Sequence, residues 1–319
     1  MHSLLRLDLD DYIADVLPDS FELWADGRTF ERYASDLRAL AATRYGERRF
    51  ALIGLRDEQR IVASLKRYDR DLRWDERSLR ACGIGAVFVR PDQRGKQRSH
   101  ALLDRLLRSE RERGIDLAFL FSDIGATHYE AAGFEALPAR TFTLRTTSLP
   151  SLPIEPAPFS PRDWRSIARC FDAAPAHSLP MLKRTPLVWN WFAERDAEHA
   201  DGVTRVRLTR GAECIAYVVG RPHAASGAFV LDECGADPQR GKDLLAPLIR
   251  HAAGNSGHVH GWLPPPAMRA LLPQGSVKRR AQGLPMIAPL SAAAKRLWKR
   301  HRDAMLSAEG DLFWWFDHV

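Results

Sequence analysis

The feature that most constrains this 319-residue chain is a strand that runs into a basic turn and then a helix, at residues 84–99. The apolar stretch Ile84-Gly-Ala-Val-Phe-Val89 predicts the strand, which Pro91 ends because proline cannot continue a ladder. The first turn of a helix offers unpaired N–H groups and the positive end of the helix dipole, so this motif is typical of a phosphate-binding site. Positive charge in the turn comes from Arg94, Lys96 and Arg98.

A second motif occupies residues 117–134. Its first part, Leu117-Ala-Phe-Leu-Phe121, is continuously apolar, which predicts a central strand buried on both faces. A short helix from Ala126 to Ala132 follows and carries Tyr129. Because a phenol is a weak acid, a phosphate-binding turn and Tyr129 on neighbouring strands together suggest a nucleotide-type cofactor beside a proton donor.

The composition argues against several classes of protein. With 45% hydrophobic and 27% charged residues, and no run of about 18 apolar residues, it indicates neither disorder nor a membrane protein. The net charge is +7, but 40 acidic residues are interspersed with 47 basic ones and no nucleic-acid-binding motif occurs, so we expect no nucleic-acid partner. The start lacks the apolar core of a signal peptide and the four cysteines form no C-x-x-C pair, so we expect a cytoplasmic protein without a metal site.

A proline-rich stretch divides the chain. Residues 149–158 hold four prolines in ten positions, which favours an extended linker. We therefore predict a first domain at residues 1–148, a linker at 149–160 and a second domain at 161–319. The tetrapeptide Gln-Arg-Gly-Lys occurs in both domains, at 93–96 and at 239–242, each time before a leucine-rich helix, which favours a duplication. The second copy lacks most of the turn, so we expect that it does not bind a pyrophosphate.

Together, the two motifs resemble the GCN5-related N-acetyltransferase (GNAT) family. The main motif of that family runs from an apolar strand through a Gln/Arg-x-x-Gly-x-Gly/Ala turn into a helix, and a helix ending in Tyr-Glu-x-x-Gly-Phe follows later, as Tyr129-Glu-Ala-Ala-Gly-Phe134 does here. The resemblance is strong over residues 84–137. It implies an α/β (α+β) fold with two tandem GNAT-like domains, each a mixed, mostly antiparallel twisted sheet flanked by helices, of which the second is degenerate.

The resemblance also implies an activity, the transfer of an acetyl group from acetyl-CoA to a primary amine by direct attack. By position, the backbone of Val87, Phe88 and Val89 is expected to pair with the pantetheine arm where the two central strands splay apart. Tyr129 is expected to protonate the departing CoA thiolate. The full set of cofactor-binding residues implied in this way is Val87, Phe88, Val89, Arg94, Gly95, Lys96, Gln97, Arg98 and Ser99.

Several assignments stay open at the level of the sequence. Gln97 stands where the family has a glycine, so its side chain either weakens or re-aims CoA binding. Ser122, at the end of the second strand, either touches the substrate in catalysis or caps the following helix. No residue is identified as the general base, and His128 is interpreted as a surface histidine. Asp232 and Glu233, at the end of a predicted strand, select a cationic amine if the two domains share a cleft.

The acceptor and the role of the C-terminus are also open. We expect a small-molecule amine rather than a protein as the acceptor, and the oligomeric state is not predicted. The alternative function is a non-catalytic, acyl-CoA-binding regulatory protein. The aromatic segment 311–319 is interpreted as a final core strand of the second domain. In the alternative, which follows tandem acetyltransferases of the enhanced-intracellular-survival type, its terminal carboxylate reaches the active site.

Overall fold

The computed structural model describes residues 3–25, 27–58, 60–172, 179–197, 202–308, 313, 314 and 317. The helices and strands of the first half are β1 (Ser3–Leu7), α1 (Leu9–Asp11), α2 (Leu17–Ser20), α3 (Phe30–Ala42), α4 (Arg44–Arg49), β2 (Phe50–Asp57), β3 (Arg60–Trp74), β4 (Arg77–Val89), α5 (Arg98–Glu112), β5 (Leu117–Ser122), α6 (Thr127–Glu130), β6 (Glu135–Ala136) and β7 (Arg140–Arg145).

The second half repeats much of this order. Its elements are β8 (Ala157–Pro158), α7 (Ala168–Asp172), β9 (Met181–Lys183), α8 (Pro186–Ala197), β10 (Thr204–Arg210), β11 (Glu213–His223), β12 (Ala228–Ala236), α9 (Leu245–Ala253), β13 (His258–Trp262), α10 (Pro266–Arg269), β14 (Ser276–Arg279), β15 (Leu284–Pro289) and α11 (Ala292–Leu306). Short 3-10 turns join several of them, and residues Tyr12–Val16 form a π-helical turn.

The strands form two mixed sheets. The first has the order β1-β2-β3-β4-β5-β15-β6, with β9 added to β3, and the second has the order β14-β7-β13-β12-β11-β10-β8. Each sheet contains one parallel pair, β4 with β5 and β12 with β13, and its other pairs are antiparallel. Helices flank both sheets. The predicted fold class, two mixed and mostly antiparallel sheets flanked by helices, is therefore confirmed.

The two sheets exchange strands across the proline-rich stretch. Strand β7 belongs to the first half of the chain but pairs with β13 and β14 in the second sheet. Strand β15 belongs to the second half but lies between β5 and β6 in the first sheet. The division of the chain that we predict at residues 149–160 thus does not coincide with the division between the sheets.

The described part of the C-terminal segment packs on the first sheet. The Phe313 ring stacks on that of Phe119 and meets that of Phe121 edge-on, at centroid distances of 5.9 and 5.7 Å. Asp317 is buried and accepts hydrogen bonds from Arg184. The other residues of 309–319, including the terminal carboxylate, lie outside the described part of the chain.

The described helices include none that is long and apolar enough to cross a membrane. The densest basic run of the sequence, residues 295–302, lies on α11, where Lys295, Lys299 and Arg300 are exposed while Leu297 and Trp298 are buried. The run is therefore the solvated face of an amphipathic helix.

Candidate active site

The central strands of the first sheet separate at one end. Strands β4 and β5 pair from Ala81 with Leu117 to Ile84 with Leu120, and β4 then continues to Val89 without a partner on that side. The register between β3 and β4 shifts at the same place, where Ala86 takes a positive φ of 48°. This bulge bends β4 away from β5. It produces the splayed strands that the resemblance implies.

The open edge of β4 carries free backbone groups. Arg90 donates its backbone N–H to the carbonyl of Val62, on the neighbouring strand. Because the N–H and C=O groups of successive strand residues point to opposite sides, Val89 and Val87 direct theirs towards the gap left by β5. An extended ligand in this gap can pair with both residues as an added strand does.

Side chains of β4 divide between two faces. Val87 and Val89 pack against the cluster formed by α5 and Tyr129, so the structure brings these predicted residues together. Phe88 belongs to the core on the opposite face, where the Trp24 ring meets it edge-on at 6.5 Å. The splay therefore opens between a face covered by α5 and a face covered by the N-terminal helices.

A turn rich in unpaired amides follows β4. A 3-10 turn spans Pro91–Gln93, and Gln97 is the N-cap of α5. Within the described residues, no acceptor exists for the backbone N–H groups of Gly95, Lys96, Gln97, Ser99 and His100, and the first helical bond runs from Ala101 to Gln97. The turn from residue 94 to residue 97 is exposed. It is a nest of donors at a helix N-terminus, which suits an anionic group.

Gln97 has the left-handed conformation, with φ 55° and ψ 26°. Glycine adopts this conformation without steric cost, whereas other residues lose about 1 kcal/mol or more. This requirement explains physically why a glycine suits the position. The glutamine keeps the backbone geometry and its side chain is exposed.

The basic side chains of the turn differ in whether they form ion pairs within the protein. Arg98 donates to Asp57 at 2.8 Å, so part of its charge is balanced within the protein. Arg94 and Lys96 are exposed and form no ion pair with any described residue. These two side chains are the ones available to a bound phosphate.

Tyr129 is buried on α6, the short helix after β5. Its ring lies 4.9 Å from that of His128 and 6.2 Å from that of Phe134, both edge-on. Its hydroxyl forms no hydrogen bond with the residues that the structure describes. Burial, with a smaller contribution from the Asp123 carboxylate, raises the pKa of Tyr129 to about 12. The phenol is therefore protonated at neutral pH and free to donate.

The neighbours of Tyr129 have structural contacts. The Ser122 hydroxyl donates to the carbonyl of Gly125 at 2.6 Å, a contact within the loop before α6, whereas the N-cap of α6 is Ala126. Asp123 accepts the backbone N–H of Gly283 at 2.8 Å and so ties this loop to the strand-exchanged segment. His128 lies against His100, with ring centroids 5.0 Å apart, and burial together with His100 lowers the pKa of His128.

The second half contains the same splay without the nest. Pairing of β12 with β13 ends at Leu231 and Gly261, and β12 continues to Ala236. The carboxylate of Asp237 accepts the backbone N–H groups of Gln239 and Arg240 at 3.0 and 2.9 Å, and the carbonyl of Asp237 accepts that of Gly241 at 2.9 Å, so Asp237 closes this turn.

The turn of the second half is also packed onto its sheet. A Cβ on Gly241 would lie 1.8 Å from the carbonyl oxygen of Ile215, which leaves no room for a ligand beneath the turn. Glu233 forms a buried ion pair with Arg184 and accepts the Tyr217 hydroxyl at 2.7 Å. Glu233 is thus a structural residue, and a role for it in selecting a cationic amine is not supported.

Sequence reasoning missed two features of the site. The bulge at Ala86 has no signal in a run of small and apolar residues, because an alanine with positive φ is unusual. The second feature is the Asp123 carboxylate near Tyr129. Asp123 directly follows Ser122 in the sequence, but its contact with Gly283 depends on a strand exchange that the sequence does not predict.

Comparison with known proteins agrees with this geometry. Residues 11–137 match a family model described as an acetyltransferase (GNAT) domain. No curated protein is similar enough in sequence to match the chain. A solved structure of a probable N-acyltransferase from Enterococcus faecalis V583 has a TM-score of 0.74 at 15% identity, over 92% of this chain and 74% of that one.

Two further structures extend the likeness. A GCN5-related N-acetyltransferase from Kribbella flavida has a TM-score of 0.67 at 20% identity, over 92% of this chain and 72% of that one. A tandem GNAT protein from the clavulanic acid biosynthesis pathway has a TM-score of 0.51 at 12% identity, over 91% of this chain and 99% of that one. The family resemblance predicted from the sequence is therefore confirmed: residues 11–137 match the model of a GNAT domain, and the chain has the fold of GNAT acetyltransferases, tandem members included.

Proposed function

We propose that the protein is an N-acetyltransferase that moves the acetyl group of acetyl-CoA to a primary amine. The observation that carries the proposal is the contrast between two turns. Within the described residues, the backbone N–H groups of Gly95, Lys96 and Gln97 have no partner, whereas the matching Gly241 of the second half donates its N–H to the carbonyl of Asp237, and the Asp237 carboxylate accepts two further N–H groups of the same turn. The site in the first half is therefore the one we assign to the cofactor.

The residues of the first half suit each part of acetyl-CoA, which supplies an acetyl group activated as a thioester. The amides of Gly95 to Ser99 hold the pyrophosphate, assisted by the charges of Arg94 and Lys96. The backbone of Val87 and Val89 binds the pantetheine arm in the gap between β4 and β5.

Proton transfer is assigned to Tyr129. The neutral amine attacks the acetyl carbonyl, the carbon–sulfur bond breaks, and the leaving thiolate takes the proton of the Tyr129 hydroxyl. The nitrogen loses one proton to solvent as the amide forms, and Tyr129 regains a proton from solvent. A phenol with a pKa of about 12 stays protonated until this step. The structural contact of Ser122 favours a role in shaping the loop that carries Tyr129.

The acceptor we propose is a small-molecule amine, and the location we propose is the cytoplasm. All four cysteines are free and buried, as suits a reducing compartment. The described residues hold no group of three or more His, Cys, Asp or Glu side chains that could bind a metal ion, and no step above needs one.

The test combines calorimetry with a thiol-release assay. Titration of the purified protein with acetyl-CoA is expected to give one binding site per chain, and release of free CoA is expected with at least one amine of a panel. Binding without thiol release over the whole panel would favour the alternative, a non-catalytic acyl-CoA-binding regulatory protein. No binding would overturn both functions.

A further inference from the structure

Strand β3 carries a buried lysine at the level of the splay. Lys66 is 9% exposed, and its ammonium donates to the Tyr33 hydroxyl at 2.7 Å and lies 4.9 Å from the centre of that ring. The other titratable groups acting on it are the phenols of Tyr12 and Tyr68. Among the described residues, no aspartate or glutamate forms an ion pair with Lys66.

A buried charge of this kind is normally paired. Removing an ammonium from water costs several kcal/mol unless an opposite charge or several hydrogen bonds offset the loss. Three phenols supply partial negative charge but no anion. The lysine therefore has capacity for one anionic ligand.

The strand register places Lys66 beside the point where β4 and β5 separate, which is where we assign the thioester. Lys66 pairs with Gly85, the residue after the last β4–β5 pair, and Gly85 has no side chain to fill the space opposite. Ser64 pairs with Phe88, and its buried hydroxyl has no hydrogen-bond partner among the residues that the structure describes. Alternation along β3 puts Ser64 and Lys66 on the face of Phe88, away from α5 and Tyr129.

The surroundings of that face are apolar. Trp24 packs edge-on against Phe88, and the adjacent Leu23 is 58% exposed. A large apolar side chain exposed beside this aromatic pair favours a ligand with an apolar part.

We propose that Lys66 binds the carboxylate of the acceptor and that the acceptor is an α-amino acid with an apolar side chain. The inference rests on the proposed function, because the amine must reach the thioester between β4 and β5. In an α-amino acid a single carbon separates the amine from the carboxylate, which matches a cation at the splay itself. The side chain then lies against Phe88, Trp24 and Leu23.

Matched pairs of acceptors test the proposal. Calorimetry measures the binding of L-phenylalanine and of phenethylamine, which lacks the carboxylate, to protein saturated with CoA. The acetylation rates of both are measured with acetyl-CoA. The wild type is expected to bind the amino acid more tightly, and Lys66→Met is expected to lose about 30-fold in affinity for the amino acid with little change for the amine.

Two further variants separate a ligand contact from a structural role. Lys66→Arg keeps the charge and is expected to retain most of the preference for the amino acid, with a similar thermal midpoint. Lys278→Met removes an exposed lysine from β14 and is expected to change nothing.

Three outcomes overturn the inference. They are a wild type that prefers phenethylamine, a Lys66→Met variant that loses both acceptors equally, and a Lys66→Arg variant that folds but loses the preference. Failure of CoA to bind the wild type would instead overturn the proposed function, so the two failures are distinguishable.

Discussion

The two halves of the molecule place different residues at the same point of the same architecture. Arg90 and Asp237 each end a splayed strand, donate their backbone N–H to the neighbouring strand and precede a proline. The Arg90 side chain turns away to Asp15 and Asp19 of the covering helices, which leaves the following turn open. The Asp237 side chain folds into its own turn and closes it.

This difference shows how a duplicated site becomes structural. The second half keeps the splay of β12 from β13, but a buried Arg184–Glu233 pair and the Tyr217 hydroxyl occupy the strand beside it. Both halves therefore contain a buried tyrosine near a splay. The hydroxyl of Tyr129 has no hydrogen-bond partner in the described part of the chain, whereas that of Tyr217 donates to buried Glu233.

The largest expected effect comes from separating the halves. Residues 1–148 alone lack β15, which pairs along the whole of β5 from Leu117 to Ser122 and covers an apolar strand. Residues 161–319 alone lack β7, which lies between β13 and β14. We expect neither piece to unfold cooperatively in circular dichroism melts, and we expect co-expression of the two to restore a cooperative transition. A cooperative melt of residues 1–148 alone would show that the halves are independent copies.

Replacing each tyrosine sharpens the comparison. Tyr129→Phe removes the proton donor, and we expect kcat to fall about 100-fold while the affinity for acetyl-CoA changes less than about twofold. Tyr217→Phe removes a hydrogen bond to buried Glu233, and we expect an unchanged kcat with a loss of about 1–3 kcal/mol in the free energy of unfolding. Steady-state kinetics measure kcat for both variants, and urea melts measure their free energies of unfolding. Equal effects on kcat would contradict the assignment of Tyr129.

The basic turns form the next matched pair. The double variant Arg94→Ala, Lys96→Ala removes two charges that have no partner within the described protein, and we expect about tenfold weaker binding of acetyl-CoA. The double variant Arg240→Ala, Lys242→Ala makes the same change in the closed turn, and we expect unchanged affinity. Calorimetry measures the affinity of both double variants for acetyl-CoA. Normal affinity in the Arg94→Ala, Lys96→Ala variant would contradict the assignment of the phosphate site to Gly95 to Ser99.

The sequence predicts the open site better than the closed one. The strand, turn and helix at residues 84–99 follow from local pattern, and so does the short helix carrying Tyr129, because each depends on neighbours along the chain. The place of β7 in the second sheet does not follow from local pattern. Strand exchange and the pairing of Glu233 with Arg184 depend on contacts between distant segments, which periodicity does not encode.

The smallest expected effect concerns Asp237 and acid. Hydrogen bonds from the Arg240 side chain and from the backbone N–H groups of Arg240 and Gln239 hold the pKa of Asp237 at about 2, below its usual value near 3.9. A carboxyl group whose pKa is lower in the folded state stabilises the fold above its unfolded pKa, and this contribution is lost as the pH falls from about 4 towards 2.

Asp237→Asn keeps an oxygen that accepts the same backbone N–H groups but removes the titration. We therefore expect the turn to stay closed, with one acetyl-CoA per chain in calorimetry, and we expect the decline of the thermal midpoint between pH 4 and pH 2 to be shallower than in the wild type. Asp104→Asn, an exposed change on α5, serves as the control and should keep the wild-type decline. A second acetyl-CoA bound to Asp237→Asn would mean that the charge of Asp237, rather than the packing of Gly241 onto Ile215, keeps the second turn closed to phosphate.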